Sequence, residues 1–346
     1  MYDHASMVRV GIIGASGYTG AELLRIAAQH PDYEVVVATG DTQAGTLASS
    51  LYPSLAVSYP QLVFSEFKEA DVVGLDLVFL GLPHEASMDL APRLVAQVGC
   101  LVDLSAAFRL KDASLYPRWY GFEHDQPDLL AEAVYGLPEL FRDELRGARL
   151  IATPGCHVTA ASLALHPLVA QGLIESEGII VNNVTGISGA GRALKYSSMF
   201  CTADENVEAY GLLDHRHTPE IEQIVGAQVL FTPHLAPMNR GIYSTCYARP
   251  TRGTIVTTSS LLEVLARAYD AEPFVAVRET APSTKATLGS NAVHLSARYD
   301  ERSGYVIALC AIDNLTKGAS GGAVQAANVA LGLVETAGLA TVGLYP

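Results

Sequence analysis

The chain has 346 residues, of which 49% are hydrophobic and 17% charged, and its formal net charge is −14. That length and apolar content allow two domains with separate cores and exclude a disordered or fibrous protein. The acidic balance, without any run of basic residues, disfavours binding to nucleic acid, which needs clustered Lys and Arg. An anionic ligand would therefore have to be held by individual arginines.

The five cysteines are widely spaced and odd in number, which predicts free thiols in a reducing compartment and no thiolate metal site. Residues 1–7 are polar and lack the apolar stretch of a signal peptide. No later apolar run reaches the roughly 18 residues of a membrane-spanning helix. We therefore expect a cytoplasmic protein that binds neither membrane nor metal, with Met1 and Met7 both open as the start residue.

The first half of the chain alternates β-type runs with helical patterns. Strands are expected at residues 8–14, 33–39, 75–82, 100–104 and 150–152. A helical pattern over 18–29 makes the first of these a βαβ unit, and the later runs extend a parallel sheet by right-handed crossovers. This half predicts an α/β dinucleotide-binding domain over residues 7–155.

The second half begins with an apolar helical stretch over 159–169 and then becomes rich in β-type runs. Strands are expected at residues 178–185, 228–231, 241–248, 292–298 and 305–312. One helix is expected around 259–269, so residues 156–317 are predicted to form an α+β domain with a mixed sheet. A small apolar helix over 319–333 should pack back on the first domain, which the segment 318–346 would complete.

Glycines spaced Gly-x-x-Gly-x-x-Gly follow the first predicted strand and open the first helix. In that setting backbone N–H groups and the helix N-terminus can hold a pyrophosphate. The loop residues expected at the cofactor are Gly14, Ser16, Gly17, Tyr18, Thr19 and Gly20. The alternative is that the glycines serve only a tight strand-to-helix turn.

Thr39 and Asp41 come at the end of the second predicted strand, where such domains meet the adenosine ribose. An acidic side chain there accepts from a ribose hydroxyl and favours NAD, whereas hydroxyls suit the additional phosphate of NADP. Thr39 and Thr42 could serve that phosphate, and Asp41 would oppose it unless it is turned away. Asp41 as a plain surface turn residue is equally open.

Cys156 has the one chemically suggestive setting among the cysteines, between a strand end with a glycine turn and a helix. A helix N-terminus favours the thiolate, which is the nucleophilic form, and its N–H groups can hold an oxyanion. The alternative, a buried structural thiol, is what we expect of Cys100, Cys246 and Cys310.

A nucleophilic thiol needs a proton acceptor, and His215 and His217 stand in a polar loop that leads into a helix. His157 competes for this role because it directly follows Cys156, although adjacent side chains at a helix start usually diverge. His84, in a loop after a strand, could line the cofactor cleft.

Several motifs occur in order along the chain. They are Gly14-Ala-Ser-Gly-Tyr-Thr-Gly20, Leu82-Pro-His84, Asp103-Leu-Ser-Ala-Ala-Phe-Arg109, Tyr135-Gly-Leu-Pro-Glu139, Pro154-Gly-Cys156, Ser188-Gly-Ala-Gly191, His215-Arg-His-Thr-Pro-Glu-Ile221 and Asp313-Asn-Leu-Thr-Lys-Gly318. Their order and spacing resemble the N-acetyl-γ-glutamyl-phosphate reductase family of the semialdehyde dehydrogenases, and the match spans almost the whole chain.

The resemblance implies a Rossmann domain and a glyceraldehyde-phosphate-dehydrogenase-like domain, the second of which also makes the contacts of a homodimer or homotetramer. It further implies NADPH as hydride donor, an acyl phosphate as substrate, and a place in arginine biosynthesis. It implies Cys156 as nucleophile and His217 as acid/base, with His215 as runner-up. The other positions carried over are Ser105, Arg109 and Arg240 for the phosphate or carboxylate of the substrate, and Pro83, Ser188, Gly189 and Asn314 for the cofactor.

Three positions depart from that family's pattern. His157-Val158 replaces the usual Tyr-Pro, Ala107 replaces an Asp, and Gly40-Asp41 replaces basic or serine residues. A paralogue acting on aspartyl phosphate or on a carrier-linked aminoadipyl or glutamyl phosphate is therefore an alternative. A different class, a dinucleotide-sensing protein without catalysis, would need only the first domain and predicts no spatial relation between Cys156 and His217.

Overall fold

The computed structural model describes residues 7–346. The polar segment 1–6, on which the expectations about export and the start residue rest, lies outside the described residues. The chain divides into two compact units. The first contains the residues up to Pro154 together with Ala319–Leu339, and the second contains Gly155–Gly318 together with Ala340–Pro346.

The first unit is built on a six-stranded sheet. Its strands are β1 Val8–Ile13, β2 Tyr33–Ala38, β3 Leu77–Leu80, β4 Cys100–Asp103, β5 Val134–Tyr135 and β6 Leu150–Ala152. They lie in the order β2-β1-β3-β4-β6-β5, and all neighbouring pairs are parallel. Every residue of β3 and β4 is buried, as expected of central parallel strands covered on both faces.

Between residue 7 and Pro154, where the structure is described, six α-helices connect or follow these strands. They are α1 Tyr18–Ala27, α2 Ala48–Leu51, α3 His84–Leu94, α4 Tyr116–Tyr120, α5 Pro127–Glu132 and α6 Pro138–Leu145. The loops that lead from β1 into α1 and from β3 into α3 leave the carboxyl ends of adjacent strands, which is where open α/β sheets bind ligands.

The second unit contains a seven-stranded mixed sheet. Its strands are β7 Ile179–Gly186, β8 Glu208–Ala209, β9 Val229–Ala236, β10 Ile242–Ala248, β11 Val275–Val277, β12 Val293–Asp300 and β13 Tyr305–Ile312. The order is β11-β12-β13-β10-β7-β9-β8, with β11/β12 and β7/β9 parallel and the other neighbours antiparallel. The predicted fold class is confirmed, while the short edge strands β8 and β11 were not predicted.

The helices of the second unit are α7 Cys156–Ala170, α8 Phe200–Ala203, α9 Thr218–Val225, α10 Thr258–Ala268 and α11 Thr284–Thr287. The apolar helix α7 is buried along nearly its whole length and packs against β10, β13, α9 and α10. It begins three residues before the predicted 159, because the residues 156–158 continue the helix rather than the glycine turn. Cys156 therefore lies in the first turn of this central helix.

The last part of the chain returns to the first unit and then leaves it. A π-helical turn, Thr316–Ser320, leads into α12 Gly321–Leu331, which packs against α6, α1 and β4. Residues 340–346, expected with the first domain, group with the second unit because Ala340 accepts a hydrogen bond from Asn291 and Leu344 donates one to Leu288. Within residues 7–346, no helix combines the length and apolar character needed to cross a membrane.

Candidate active site

The glycine loop of the first unit joins β1 to α1. Gly14 has a φ of +84°, and an added Cβ there would lie 2.3 Å from the carbonyl oxygen of Gly81, so the loop packs tightly against the segment that follows β3. An added Cβ on Gly20 would lie 2.4 Å from Ala15 Cα, which requires glycine at that position too.

Gly17 differs, because its missing side chain is not explained by packing. The nearest protein atom to an added Cβ would be 3.6 Å away, which is an ordinary contact. Gly17 is also the N-cap of α1 and no side chain caps this helix, so Tyr18 and Thr19 begin a turn whose N–H groups lack intrahelical acceptors. These residues fit the pyrophosphate of a nicotinamide dinucleotide, which needs close approach to backbone N–H groups.

Thr39 and Asp41, the residues after β2 that were predicted to meet the adenosine ribose, have different environments. Thr39 is buried, and its Oγ1 accepts a hydrogen bond from the Gly14 N–H at 3.1 Å. Ser16 Oγ donates to the carbonyl oxygen of Gly40 at 3.1 Å. Asp41 is exposed with a φ of +44°, a conformation that Asp tolerates better than most residues. Thr39 therefore fixes the loop, and Asp41 and Thr42 are the side chains presented to solvent.

Pro83 is the N-cap of α3, in the segment that packs beside the glycine loop. The neighbouring His84 accepts a hydrogen bond through Nδ1 from the Ala106 N–H at 3.0 Å. The loop after β3 is thereby tied to the loop after β4, and both lie at the carboxyl edge of the sheet.

Ser105 and Arg109, which were predicted to face the substrate, are both buried in the first unit. Ser105 Oγ donates to the Asp103 carboxylate at 2.7 Å, and burial raises the pKa of that carboxyl group. Arg109 donates through Nε to the carbonyl oxygen of Thr153 at 2.6 Å and through Nη2 to that of Leu104 at 3.0 Å. Both side chains hold the loop after β4 in place, and their contact with a substrate stays a prediction.

In the second unit, Cys156 is the first residue of α7, and Gly155 is its N-cap with extended backbone. The thiol is partly exposed, in contrast to the buried Cys100, Cys246 and Cys310. A helix N-terminus with no side-chain cap leaves N–H groups and the positive end of the dipole to stabilise a thiolate. The setting therefore suits a nucleophile.

Gly318 packs against Cys156. An added Cβ on Gly318 would be 2.9 Å from the Cβ of Cys156, so only glycine allows this approach. Gly318 belongs to the π-helical turn Thr316–Ser320, and such turns are frequent at functional sites.

His217 packs directly on the turn that carries the thiol. An added Cβ on Gly155 would lie 2.5 Å from His217 Nε2, so the imidazole occupies the space of a side chain at 155. The buried carboxylate of Glu220 accepts a hydrogen bond from the Gly155 N–H at 2.9 Å. Two residues at the start of α9 thus contact Gly155: the His217 ring packs against its Cα, and Glu220 accepts a hydrogen bond from its N–H. These contacts hold His217 beside the residue that precedes Cys156.

His215 and His157 surround His217, with ring centroids 4.8 and 5.6 Å from it. Burial, with the charge of Arg216, lowers the pKa of His215 to about 4, and its Nδ1 accepts a hydrogen bond from the His217 N–H at 3.1 Å. Burial, with the charge of His215, lowers the pKa of His157 to about 3. Bases this weak do not accept a thiol proton near neutral pH.

The predicted cofactor residues of the second unit come together at the ends of β7 and β13. Asn314 donates through Nδ2 to Ser188 Oγ at 2.9 Å and accepts through Oδ1 from the Gly241 N–H at 2.7 Å. Gly189 lies alongside, because an added Cβ would be 3.3 Å from Thr185 Oγ1 and 4.0 Å from Asn314 Nδ2. These residues form one polar cluster, and their contact with the cofactor stays a prediction.

Arg240 is held rigidly by the fully buried Asp313. Its Nε and Nη2 each lie 2.9 Å from a carboxylate oxygen, and Nη2 also lies 2.9 Å from Thr316 Oγ1. The Asp313 carboxylate also accepts from the Gly289 N–H at 2.7 Å. The carboxylate therefore fixes the orientation of the guanidinium, of which 21% of the side chain stays exposed, and the predicted binding of substrate stays a prediction.

Glu220 and Tyr210 were missed as site residues. Glu220 could have been found, since it follows His217 by three residues and so shares a helix face with it. Tyr210 precedes the histidine loop without any recognisable motif, and no signal in the sequence points to it. In the described part of the chain, residues 7–346, no group of His, Cys, Asp or Glu is arranged to hold a metal ion.

Family models match both units of the chain. Residues 9–148 match the semialdehyde dehydrogenase NAD binding domain, and residues 156–314 match the semialdehyde dehydrogenase dimerisation domain. The N-acetyl-gamma-glutamyl-phosphate reductase of Symbiobacterium thermophilum is 46% identical over 98% of this chain and 99% of its own length. The enzyme of the same name from Ectopseudomonas mendocina is 44% identical over 98% of this chain and 100% of its own.

Solved structures share the fold at low sequence identity. Aspartate semialdehyde dehydrogenase II of Vibrio cholerae, in complex with ASA, superposes with a TM-score of 0.68 at 15% identity over 94% of this chain and 98% of its own. Aspartate semialdehyde dehydrogenase of Candida albicans with NADP gives a TM-score of 0.67 at 15% identity over the same shares. The two-domain architecture is therefore that of the semialdehyde dehydrogenases.

Proposed function

The chain belongs to the N-acetyl-γ-glutamyl-phosphate reductase family, and on that premise we propose that it reduces N-acetyl-γ-glutamyl phosphate to N-acetylglutamate semialdehyde and phosphate, with NADPH, in arginine biosynthesis in the cytoplasm. One observation carries the proposal. It is the partly exposed thiol of Cys156 at the start of α7, with Nε2 of His217 packed on the preceding glycine.

Cys156 begins the reaction as the nucleophile. His217 takes the thiol proton, and the sulfur attacks the carbonyl carbon of the acyl phosphate, forming a C–S bond. The C–O bond to phosphate then breaks, phosphate leaves with the electron pair, and a thioester remains on Cys156. Covalent capture divides one difficult reduction into two easier steps, and a thioester accepts hydride far better than a carboxylate does.

Reduction and release complete the cycle. A reduced nicotinamide, when bound, supplies the hydride that adds to the thioester carbonyl carbon. His217 then protonates the oxygen to give a thiohemiacetal and removes that proton as the C–S bond breaks, which releases the aldehyde and restores the thiolate. His217 is the suitable histidine because His157 and His215 are too weakly basic for this exchange.

The loop after β2 bears on the proposed cofactor preference. NADPH is proposed as the donor, and NADH is the alternative that the exposed Asp41 would favour. Thr39 is buried and its Oγ1 accepts a hydrogen bond from the Gly14 N–H, so we propose the exposed Thr42 as the hydroxyl that meets a 2′-phosphate.

A homodimer or homotetramer is proposed from the second sheet. One face of β10 packs under α7, while the opposite face of the sheet presents apolar side chains that are only half-buried. They include Ile180, Tyr243, Tyr247, Ile307 and Leu309. Light scattering should give at least twice the chain mass of 36.7 kDa, and a monomer at micromolar concentration would contradict the assembly.

The activity is tested in the reverse direction with N-acetylglutamate semialdehyde, phosphate, and either NADP⁺ or NAD⁺. Phosphate-dependent reduction of NADP⁺ that exceeds that of NAD⁺, and that disappears in Cys156→Ala, is the expected result. Turnover that survives in Cys156→Ala would overturn the mechanism. No turnover with either cofactor would overturn the substrate assignment, and carrier-linked or aspartyl semialdehydes would then be tested.

A further inference from the structure

Two buried polar groups beside the nucleophile have no part in the mechanism above. His157, the residue after Cys156, is 2% exposed, and Asn183 on β7 is completely buried. Asn183 Nδ2 donates to the His157 carbonyl oxygen at 3.3 Å and lies 3.2 Å from His157 Nδ1. Because a carbonyl oxygen only accepts, the amide orientation follows, and Nδ1 must be the acceptor. His157 therefore carries its proton on Nε2.

The proton on Nε2 points at a phenol. His157 Nε2 lies 2.8 Å from the hydroxyl oxygen of Tyr210, so the imidazole donates and the phenol oxygen accepts. The phenol proton must then point away from His157. Across residues 7–346, the extent of the described structure, His157 is the hydroxyl's sole hydrogen-bond partner. The hydroxyl proton is consequently left available to a further acceptor.

Tyr210 belongs to the cluster of rings beside the nucleophile turn, because its ring centroid lies 5.4 Å from that of His215 and 6.4 Å from that of His157, the residue after Cys156. Burial raises the pKa of Tyr210, and the negative charge of a Cys156 thiolate raises it further, so the phenol is protonated near neutral pH. The His157 ring packs 5.6 Å from the rings of both His215 and His217, which places the hydroxyl among the groups that surround the site.

We propose that the Tyr210 hydroxyl donates a hydrogen bond to the carbonyl oxygen of the acyl group on Cys156 as that oxygen becomes negative, and that His157 is the positioning residue that turns the hydroxyl toward it. The proposal rests on the proposed function and deepens it by assigning an oxyanion donor. A donor already oriented before reaction stabilises the transition state more than the ground state, so its loss lowers kcat more than it raises KM.

Kinetics of four variants test the donor and its positioning. Tyr210→Phe should lower kcat about 100-fold with little change in KM, as removal of an oxyanion donor does. His157→Leu should lower kcat about 10-fold, and His157→Gln, whose amide can still donate to the phenol oxygen, should recover most of that loss. The double variant His157→Leu/Tyr210→Phe should be no slower than Tyr210→Phe alone, because His157 acts through Tyr210. Additive losses, or a Tyr210→Phe enzyme with wild-type kcat, would overturn the proposal.

The tautomer is measured without any substrate. In a ¹⁵N-histidine spectrum, the signals that disappear in His157→Gln should report a neutral ring protonated on Nε2 at every pH from 5 to 8. A ring protonated on Nδ1, or one that titrates in this range, would overturn the positioning role. Wild-type enzyme without turnover would instead refute the proposed function, and the tautomer result would still decide whether His157 orients Tyr210.

Discussion

A methyl group on Gly155 should disable the candidate site without changing either reacting side chain. Gly155 has φ −65° and ψ 142°, a conformation open to any residue, so Gly155→Ala adds no backbone strain. Its N–H remains available to Glu220. The new Cβ would lie 2.5 Å from His217 Nε2 and 2.7 Å from the adjacent ring carbons, and only the imidazole can move away.

The size of the displacement sets the size of the effect. Ordinary contact begins at 3.4 Å, so the ring must move by the difference between 3.4 and 2.5 Å, which is 0.9 Å. A misplacement of about 1 Å in a catalytic group costs about 100-fold in rate. We therefore expect kcat/KM to fall about 100-fold, while the replacement of a glycine N-cap by alanine lowers the free energy of unfolding by only about 1 kcal/mol.

A double-mutant cycle separates this displacement from general damage. In a His217→Ala background, Gly155→Ala should have little further effect, because the ring that it displaces is absent. Urea unfolding of each variant should stay within about 1 kcal/mol of wild type, which reports an intact fold. A Gly155→Ala enzyme within about threefold of wild type, or one that loses as much again in the His217→Ala background, would refute the proposed packing of His217 against the nucleophile turn.

Three further changes test other parts of the structure. Gly17→Ala should weaken NADPH binding more than about 10-fold, measured by cofactor fluorescence, with an unchanged unfolding temperature, because the protein leaves room for a methyl group that a bound pyrophosphate would not. Acid should destabilise the fold through His157: its pKa is about 3 when folded and 6.5 in the reference state, so the unfolded chain binds the proton first and stability falls as pH drops below 6.5. Between pH 7 and pH 5, the unfolding free energy measured in urea should fall by about 2 kcal/mol more in wild type than in His157→Gln, while His215, with its pKa lowered to about 4, contributes to the loss in both proteins. Glu220→Ala should lower the unfolding free energy by about 1–3 kcal/mol by removing the acceptor of the buried Gly155 N–H, and Glu220→Gln should cost less.

The fold was predictable where the sequence pattern is strong. Near-continuous apolar runs predicted β3 and β4, because strands covered on both faces have no polar side to interrupt them. The two-domain class and the family inferred from the motifs are confirmed by the matching family models and by relatives at 44–46% identity. The edge strands β8 and β11 have two and three residues, too few for a period to be visible.

The candidate site was predictable only in part. Cys156 could be singled out because a local strand-turn-helix pattern surrounds it. The polar loop before a helix predicted His215 and His217 together, and only the family resemblance preferred His217. The hydrogen bond between Asn183 and His157 joins two segments that are distant in sequence, so no local sequence pattern predicts it. Asp41 likewise could not be placed, because its positive φ is set by the short helical turn in which it lies.

The most direct test of the account is to look for the acyl group on the enzyme. The protein is mixed with N-acetyl-γ-glutamyl phosphate in the absence of any reductant, quenched in acid, digested, and examined by mass spectrometry. We predict an N-acetylglutamyl adduct on the peptide that contains Cys156, formed in wild type, absent in Cys156→Ala, and released on addition of NADPH. An enzyme that turns over this substrate without acylating Cys156 would contradict the account.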